Sequence, residues 1–450
     1  MLVELGGWTA SQSGMMLSSV TFARAAQVVL LLLATILALY YRTLLLQWRS
    51  TVYSVTVSTW SLTRQPVPAA DPAAVQNLVT VDKRLSLDSA ESRRLSRAEF
   101  LQEHKDFDYG MSIVKDKELG LKVTEKYVTN LRGMEMFVKS WMPEEGRPKG
   151  ILFLCHGYGD TVTFFFEGLA RIWAAAGYAV FGMDYPGFGL SEGLHGYVPN
   201  FDNLVDDVVE QYRAVKGYPE MEGLPCFLFG ESMGGAVALK AHLKYPDMWD
   251  GAILVAPMCK IADSMYPPWY LVQIMIALAH IIPKAKLVTN RDIAEIGFRD
   301  LVKRKRAEMN PVAYVGNPRL GTALSLLRTT DEIERRMGEV ALPMLIIHGG
   351  SDVVTDPSIS KILHEKAKST DKVLRLYEEA WHCLLEGEPD YMVKKVMADI
   401  ITWLDARSTS RSFMEDGKDS RKSDGEQALV LAEMTPELVA CGKSVGNQYD

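Results

Sequence analysis

The feature that most constrains this 450-residue chain is a serine set between glycines at a predicted boundary between a strand and a helix. Residues 230–234 read Gly-Glu-Ser-Met-Gly, an apolar run at residues 226–229 precedes them, and a helix pattern rich in small residues follows. A sharp strand-to-helix turn exposes a serine oxygen above a sheet, and flanking glycines let the two backbones pass closely. The sequence therefore predicts Ser232 as a nucleophile.

A second segment, residues 189–193, has the same pattern and contains Ser191. It lies in a loop rich in Pro and Gly, with no strand pattern leading directly into it and no helix pattern leaving it. We interpret Ser191 as a loop serine that supports a turn.

The base and the acid can be sought by their order along the chain. In α/β-hydrolase folds the acid and then the histidine follow the serine. Only His364 and His382 lie well downstream of any plausible acid, and His364 falls in a pattern typical of an exposed helix. His382 follows a strand pattern at residues 372–377, and loops at that end of a strand are where such sheets place catalytic groups.

The predicted acid is Asp352, which follows a buried-strand pattern at residues 343–347. The rival is Asp356, which precedes Pro357 and is expected to cap the helix that begins there. The interval from Asp352 to His382 leaves room for one helix and one strand. We interpret His348, upstream of the acid, as a packed histidine at a strand end.

An oxyanion hole needs two main-chain N–H groups aimed at the carbonyl oxygen of the substrate. Met233, which follows the nucleophile, is the first predicted donor. The second is Tyr158, in a glycine-rich loop at residues 156–160 that follows a strand pattern at residues 150–155. The neighbouring His156 is expected to shape this loop through hydrogen bonds.

The loops at residues 156–160 and 184–193, the Ser232 elbow, and the loops of Asp352 and His382 together resemble the monoacylglycerol lipase-like branch of α/β hydrolases. The likeness spans about residues 125–404 and is greatest to plant-type members, which include caffeoylshikimate esterases and proteins labelled lysophospholipases. It implies a cap over a serine-hydrolase core and action on an ester with one acyl or aroyl chain. Unlike the animal enzymes, this chain has Thr355 and not a cysteine near the acid, which argues against cysteine-directed inhibition.

The order of strand and helix patterns predicts an α/β fold. A hairpin at residues 122–141 is followed by alternating strands and helices, a pattern typical of a mostly parallel sheet covered by helices on both faces. The alternation stops between residues 256 and 343. We therefore predict a core at residues 121–257 and 341–407 and an inserted helical cap at residues 258–340, whose apolar inner surface forms a substrate pocket.

The terminal segments differ from this core. Residues 1–70 are predicted to be an anchor or targeting segment, because residues 25–41 are uncharged and mostly apolar over a length at the lower limit for a bilayer-spanning helix. Their composition also allows an organellar transit peptide. Residues 71–120 are predicted to be a charged, solvated helical connector, and residues 408–450 a disordered tail. We expect membrane association, at the endoplasmic reticulum or a plastid, with the cap as a second possible contact.

Net charge and cysteine content argue against several classes of function. A net charge of −7 argues against nucleic-acid binding, and five scattered cysteines predict neither a disulfide framework nor a zinc site. Hydrolysis of an ester by Ser232, His382 and Asp352 requires no metal or organic cofactor. Monoacylglycerols or related single-chain lipid esters are the preferred substrates. Lysophospholipid or caffeoylshikimate-type esters, acyl transfer, and a non-catalytic receptor or scaffold remain alternatives, and the oligomeric state is left open.

Overall fold

The structure, a computed structural model, describes residues 86–104, 120–260, 268–288 and 293–415, with side chains up to residue 408 in the last range. The anchor predicted at residues 25–41 lies outside the described residues, and so does most of the predicted tail. Within the described ranges, no helix combines the length and the apolar character that crossing a bilayer requires.

Eight strands in the described part of the chain form one sheet. They are β1 (Leu121–Thr129), β2 (Glu135–Pro143), β3 (Ile151–Cys155), β4 (Ala179–Met183), β5 (Cys226–Glu231), β6 (Gly251–Val255), β7 (Met344–Gly349) and β8 (Lys372–Tyr377). Their order in the sheet is β1-β2-β4-β3-β5-β6-β7-β8. The β1–β2 hairpin and the β2–β4 pair are antiparallel, and every other pairing is parallel. This arrangement confirms the predicted mostly parallel sheet.

Helices connect these strands and cover both faces of the sheet, because the central strands are apolar at every position except Glu231 and need burial on each side. Phe153 packs on the face covered by the helices at residues 201–216 and 233–244, while its neighbour Leu152 belongs to the cluster on the face of the helices at residues 165–175 and 390–415. The helices are α1 (Ala90–Glu103), α2 (Phe165–Ala175), α3 (Phe201–Lys216), α4 (Met233–Lys244), α5 (Trp269–Ile281), α6 (Ile293–Gly297), α7 (Leu301–Glu308), α8 (Leu320–Arg336), α9 (Pro357–Lys366) and α10 (Asp390–Glu415).

The interval predicted to form a cap contains α5 to α8, between β6 and β7. In this interval α8 contacts α5 and also the core helices α3 and α4. Nearly every residue of α5 is apolar, yet Leu271 is its one buried side chain. At the ends of α5, Trp269 is 76% exposed and Ile281 is 77% exposed. An apolar helix with this exposure presents a surface suited to an apolar partner.

Helix α1 packs against the core, so the prediction of a solvated connector is wrong for one of its faces. Arg93 is completely buried, and its guanidinium donates hydrogen bonds of 2.6 Å to the carbonyls of Gly189 and Ser191. Burial lowers the pKa of Arg93 to about 10, while the charge of Asp184 opposes this shift, so the group stays charged at neutral pH. The sequence pattern could not show this packing because the acceptors lie about a hundred positions downstream.

The same helix also contacts the interval that contains α5 to α8. Asp88, just before α1, forms an ion pair of 2.6 Å with Arg319, and Ser96 Oγ donates a hydrogen bond of 3.3 Å to the carbonyl of Pro311. Phe100 packs in an apolar cluster with Phe298 of this interval and with core residues. Helix α1 therefore joins the core to the predicted cap.

We expect Arg93→Ala to lower the free energy of unfolding by about 2 to 3 kcal/mol, since two buried loop carbonyls and a partly buried one each lose a donor at a cost of about 1 kcal/mol. The control is Arg97→Ala on the same helix, which removes a partly exposed ion pair with Glu125 and should cost about 1 kcal/mol. Urea unfolding of both variants measures the difference. Equal losses would show that the buried contacts of Arg93 are not what attaches α1.

Candidate active site

Ser232 lies at the turn between β5 and α4 with a backbone φ of 52°, which is unfavourable for a residue that carries a side chain. Two backbone hydrogen bonds hold the turn, from Ser232 N–H to the Val255 carbonyl at 3.0 Å and from Met258 N–H to the Ser232 carbonyl at 2.9 Å. Although Ser232 occupies the N-cap position of α4, its side chain does not cap the helix. Ser232 itself is partly exposed, whereas the residues on either side of it are buried.

The flanking glycines are required by the close approach of neighbouring backbones. A Cβ on Gly234 would lie 1.9 Å from the carbonyl oxygen of Cys155, and a Cβ on Gly230 would lie 2.4 Å from the carbonyl oxygen of Gly234. Any side chain at either position would force the strand, the helix or the loop after β3 to move.

Asp352 and His382 are joined by a hydrogen bond of 2.7 Å between Asp352 Oδ2 and His382 Nδ1. Asp352 follows β7 and His382 follows β8, and these strands are parallel neighbours, so their carboxyl ends lie side by side. Burial raises the pKa of the Asp352 carboxyl, but a hydrogen bond from His348 and the charge of His382 outweigh this effect and hold the pKa well below its usual range. The ionised carboxylate therefore fixes a proton on His382 Nδ1 and leaves Nε2 as the basic nitrogen.

Thr355 links this pair to the strand that also holds the serine turn. Its hydroxyl lies 2.8 Å from Asp352 Oδ2 and 3.2 Å from the carbonyl oxygen of Ala256. Ala256 directly follows Val255, the residue at the end of β6 whose carbonyl accepts from Ser232. The serine turn and the Asp352–His382 pair are thus anchored on consecutive residues. Sequence reasoning noted Thr355 only as a departure from related enzymes and missed these contacts.

Of the two predicted oxyanion donors, Met233 directly follows the serine and Tyr158 lies in the loop after β3. Met233 is the first residue of α4, so its N–H has no acceptor within the helix. The loop of Tyr158 packs against the elbow, because a Cβ on Gly157 would lie 3.7 Å from Ser232 Cβ. The Tyr158 phenol donates a hydrogen bond of 3.1 Å to the carbonyl of Gly196, which leaves the main chain as the group that could serve a ligand. The role of both N–H groups stays a prediction.

The residues that sequence reasoning set aside occupy structural positions. Asp356 caps α9 by accepting a hydrogen bond of 2.8 Å from the N–H of Ser358. Ser191 is completely buried and donates a hydrogen bond of 2.6 Å to the carbonyl of Asp184. His364 lies on α9, and its Nε2 is 3.4 Å from the carbonyl oxygen of Lys372.

His156 contributes to the shape of the predicted oxyanion loop. Its Nδ1 donates a hydrogen bond of 2.8 Å to the carbonyl of Gly157, and its Nε2 accepts one of 3.2 Å from Tyr185 N–H. Burial lowers the pKa of His156 to about 4, so the ring is neutral at physiological pH. Both ring nitrogens are occupied, and His156 therefore does not act as a base.

Two acidic residues lie close in sequence to predicted site residues: Glu231 directly precedes Ser232, and Asp160 is the last residue of the predicted oxyanion loop. Burial, together with the charge of Asp160, raises the pKa of Glu231. Burial likewise raises the pKa of Asp160. Both carboxyls are thereby shifted toward their neutral forms. Sequence patterns gave no sign of these shifts.

A cavity of about 380 Å³ lies between α3, α4, α5 and α8. Its polar lining includes Lys240, which forms ion pairs of 2.5 Å with Asp202 and 2.7 Å with Glu332. Ser232, Asp352 and His382 are not among its lining residues. We therefore assign this cavity no part in chemistry at Ser232.

Sequence comparison finds relatives that are named as an esterase and as lipases. The chain is 33% identical to the caffeoylshikimate esterase of Arabidopsis thaliana over 292 residues, which cover 64% of this chain and 87% of that protein. It is 29% identical to the human monoglyceride lipase over 291 residues, covering 63% of this chain and 91% of that protein.

Solved structures show the same fold. A soluble variant of the monoglyceride lipase of Saccharomyces cerevisiae, in complex with a substrate analogue, superimposes with a TM-score of 0.57 at 20% identity and covers 66% of this chain and 98% of that one. The monoacylglycerol lipase of Paleococcus ferrophilus gives a TM-score of 0.51 at 24% identity and covers 61% of this chain and 100% of that one. The model of the Hydrolase_4 family, described as serine aminopeptidase, S33, matches residues 146–390, more than half of the chain. The protein therefore belongs to this family of α/β hydrolases.

Proposed function

We propose that the protein hydrolyses carboxylic esters with Ser232 as nucleophile, His382 as base and Asp352 as the acid that orients it. The observation that carries this proposal is the 2.7 Å hydrogen bond between Asp352 and His382, held at the same edge of the sheet as the turn of the partly exposed Ser232. This combination of groups is what acyl transfer to a serine requires.

In the first step, Ser232 Oγ attacks the ester carbonyl carbon while His382 Nε2 accepts the hydroxyl proton. Negative charge then develops on the carbonyl oxygen, and the N–H groups of Tyr158 and Met233 donate hydrogen bonds to it. Asp352 stabilises the imidazolium that forms. The carbon–oxygen bond to the alcohol breaks, and His382 returns the proton to the departing alcohol, which leaves an acyl group on Ser232.

In the second step, water attacks the acyl carbonyl and His382 accepts a proton from that water. The same oxyanion donors stabilise the second tetrahedral intermediate. Collapse releases the carboxylic acid, and His382 returns the proton to Ser232 Oγ. The enzyme is regenerated, and the net reaction consumes one ester and one water and yields one acid and one alcohol.

For the substrate we propose a monoacylglycerol or a related single-chain lipid ester. Support comes from the relatives named monoglyceride lipase in human, rat and mouse. Further support comes from the exposed apolar surface of α5, which would favour approach to a lipid aggregate. The similarity to a caffeoylshikimate esterase favours a second candidate, an aromatic ester of that type.

We also propose that the protein associates with membranes. The sequence of residues 25–41 supports an anchor, and the exposed Trp269 and Tyr270 at the start of α5 are residue types suited to a lipid interface. The compartment, endoplasmic reticulum or plastid, stays a prediction from the sequence.

We expect Ser232→Ala to abolish labelling by a fluorophosphonate probe and to abolish hydrolysis of p-nitrophenyl butyrate, because the attacking oxygen is removed. Ser191→Ala is the matched control, since it changes the serine of the other segment with the same pattern. It should keep its labelling wherever a thermal melt shows that it is folded. Labelling of Ser232→Ala at the wild-type level would mean that the nucleophile is a different residue.

Asp352→Asn should reduce kcat by a factor on the order of 10⁴, because an amide cannot stabilise the imidazolium or hold the correct tautomer of His382. Asp356→Asn is the matched control, and it should keep near-normal kcat because an Asn side chain can still cap α9. Steady-state kinetics on the same ester measure both variants. A larger loss in Asp356→Asn than in Asp352→Asn would reverse the assignment of the acid.

Substrate preference can be measured by comparing monooleoylglycerol, a lysophosphatidylcholine and caffeoylshikimate. We expect kcat/KM for monooleoylglycerol to exceed that for caffeoylshikimate by at least about tenfold. The long acyl chain buries more apolar surface on binding, and about two additional buried methylene groups already account for a factor of that size. A preference for caffeoylshikimate would establish the second candidate in place of the first. Product analysis with added glycerol or lysophospholipid as acceptor separates hydrolysis from acyl transfer.

A further inference from the structure

A second histidine, His348, contacts the Asp352 carboxylate. It lies in β7 and is completely buried. Its Nε2 is 3.1 Å from Asp352 Oδ2 and 3.1 Å from the carbonyl oxygen of Thr355. Its Nδ1 is 2.7 Å from the hydroxyl of Ser360 on α9. One carboxylate oxygen therefore faces two histidines, His348 and His382.

The neighbours of His348 determine which ring nitrogen carries the proton. The carboxylate of Asp352 and the carbonyl of Thr355 are both acceptors, so Nε2 must be a donor. A neutral imidazole then has an unprotonated Nδ1, which accepts from the hydroxyl of Ser360. Asp352 and Thr355 therefore select the tautomer of His348, and Ser360 supports it by donating to Nδ1.

We propose that His348 is a positioning residue for the reaction, and that it acts by fixing Asp352 in the orientation that His382 needs. Ser360 supports it by donating a hydrogen bond to Nδ1 of the tautomer that Asp352 requires. This inference rests on the proposed function, because it concerns the same acid and base.

The other contacts of the carboxylate explain why this extra donor matters. The N–H groups of Val354 and Thr355 hold Oδ1 at 2.7 Å and 3.1 Å. Oδ2 accepts from His382 Nδ1 at 2.7 Å, and the proposed reaction needs that bond to hold the orientation of the imidazole. The hydroxyl of Thr355 also reaches Oδ2, but it is a rotor that can instead donate to the carbonyl of Ala256. His348 is a rigid donor whose direction is set by its ring.

Burial prevents water from replacing this donor. The side chains of His348 and Asp352 are both completely buried. A buried carboxylate that loses a hydrogen bond gains no solvent molecule in exchange, so it reorients toward its remaining donors. The resulting displacement of Asp352 would be passed to His382 through their shared hydrogen bond.

Three substitutions at one position separate hydrogen bonding from packing. In His348→Gln the side-chain amide nitrogen reaches about as far as Nε2, so it can still donate to Asp352. In His348→Asn the amide is one bond shorter, and in His348→Leu there is no donor. We expect His348→Gln to keep kcat within about threefold of wild type, while Asn and Leu lower kcat by about 10- to 100-fold with KM unchanged.

A purely structural role would give another order, because Leu preserves apolar packing better than Gln. Wild-type kcat in His348→Leu, or equal losses in His348→Gln and His348→Leu, would overturn the inference. Thermal melts accompany each assay, so that kcat is compared among folded variants.

Ser360→Ala tests the second part without changing the imidazole. It removes the donor to Nδ1, so we expect kcat to fall about three- to tenfold with KM unchanged. Ser358→Ala is the matched control, since this serine lies on the exposed side of the same helix. A Ser360→Ala variant with wild-type kcat would overturn the supporting role of Ser360.

Comparison of Ser232→Ala with His348→Leu distinguishes a wrong nucleophile from a wrong role for His348. If Ser232→Ala retains full activity, the proposed nucleophile is wrong whatever the His348 variants do. If Ser232→Ala is inactive while His348→Leu turns over normally, the proposed function stands and only the role of His348 is lost.

Discussion

The structure around the proposed active site depends on one buried carboxylate. An ion removed from water is costly unless protein groups replace its hydration. Asp352 meets this requirement with two main-chain N–H groups at Oδ1 and with His348, Thr355 and His382 around Oδ2. These bonds keep it ionised, and the same bonds set the direction in which it accepts from His382. Stability of the charge and orientation of the base are therefore one physical arrangement.

The parallel sheet explains how residues distant in sequence come to share this arrangement. In a parallel sheet the carboxyl ends of all strands lie at one edge, so the loops after β3, β5, β7 and β8 meet there. The end of β6 is the common support: Val255 accepts from the Ser232 turn and Ala256 from Thr355. The strained backbone at Ser232 is tolerated because these neighbours hold it from several sides.

The structured unit extends beyond the region that defines the family. The family model begins at residue 146, whereas α1 begins at Ala90 and places the buried Arg93 against the loop of Ser191. Phe100 of α1 belongs to an apolar cluster that also contains Cys383, the residue after His382. A catalytic domain cut at the family boundary would lack both contacts, so α1 is an integral part of the fold.

Local patterns in the sequence determined the parallel sheet, the strand-to-helix turn at Ser232, and the positions of Asp352 and His382 just past two strand ends. They also distinguished the predicted acid, Asp352, from the helix cap, Asp356, because the proline that follows Asp356 is typical of the first position of a helix. These features depend on neighbours within a few positions, which is why periodicity and turn residues reveal them.

Only the tertiary structure decided the rest. It brought Arg93 to Gly189, Thr355 to Ala256, and His348 into contact with both Asp352 and Ser360. From the sequence, His348 was expected to be a packed residue at a strand end and α1 a solvated helix. A polar side chain does not reveal in the sequence which acceptor it will contact in the fold. Hydrogen bonds and burial are properties of pairs, and most of these pairs form only when the chain folds.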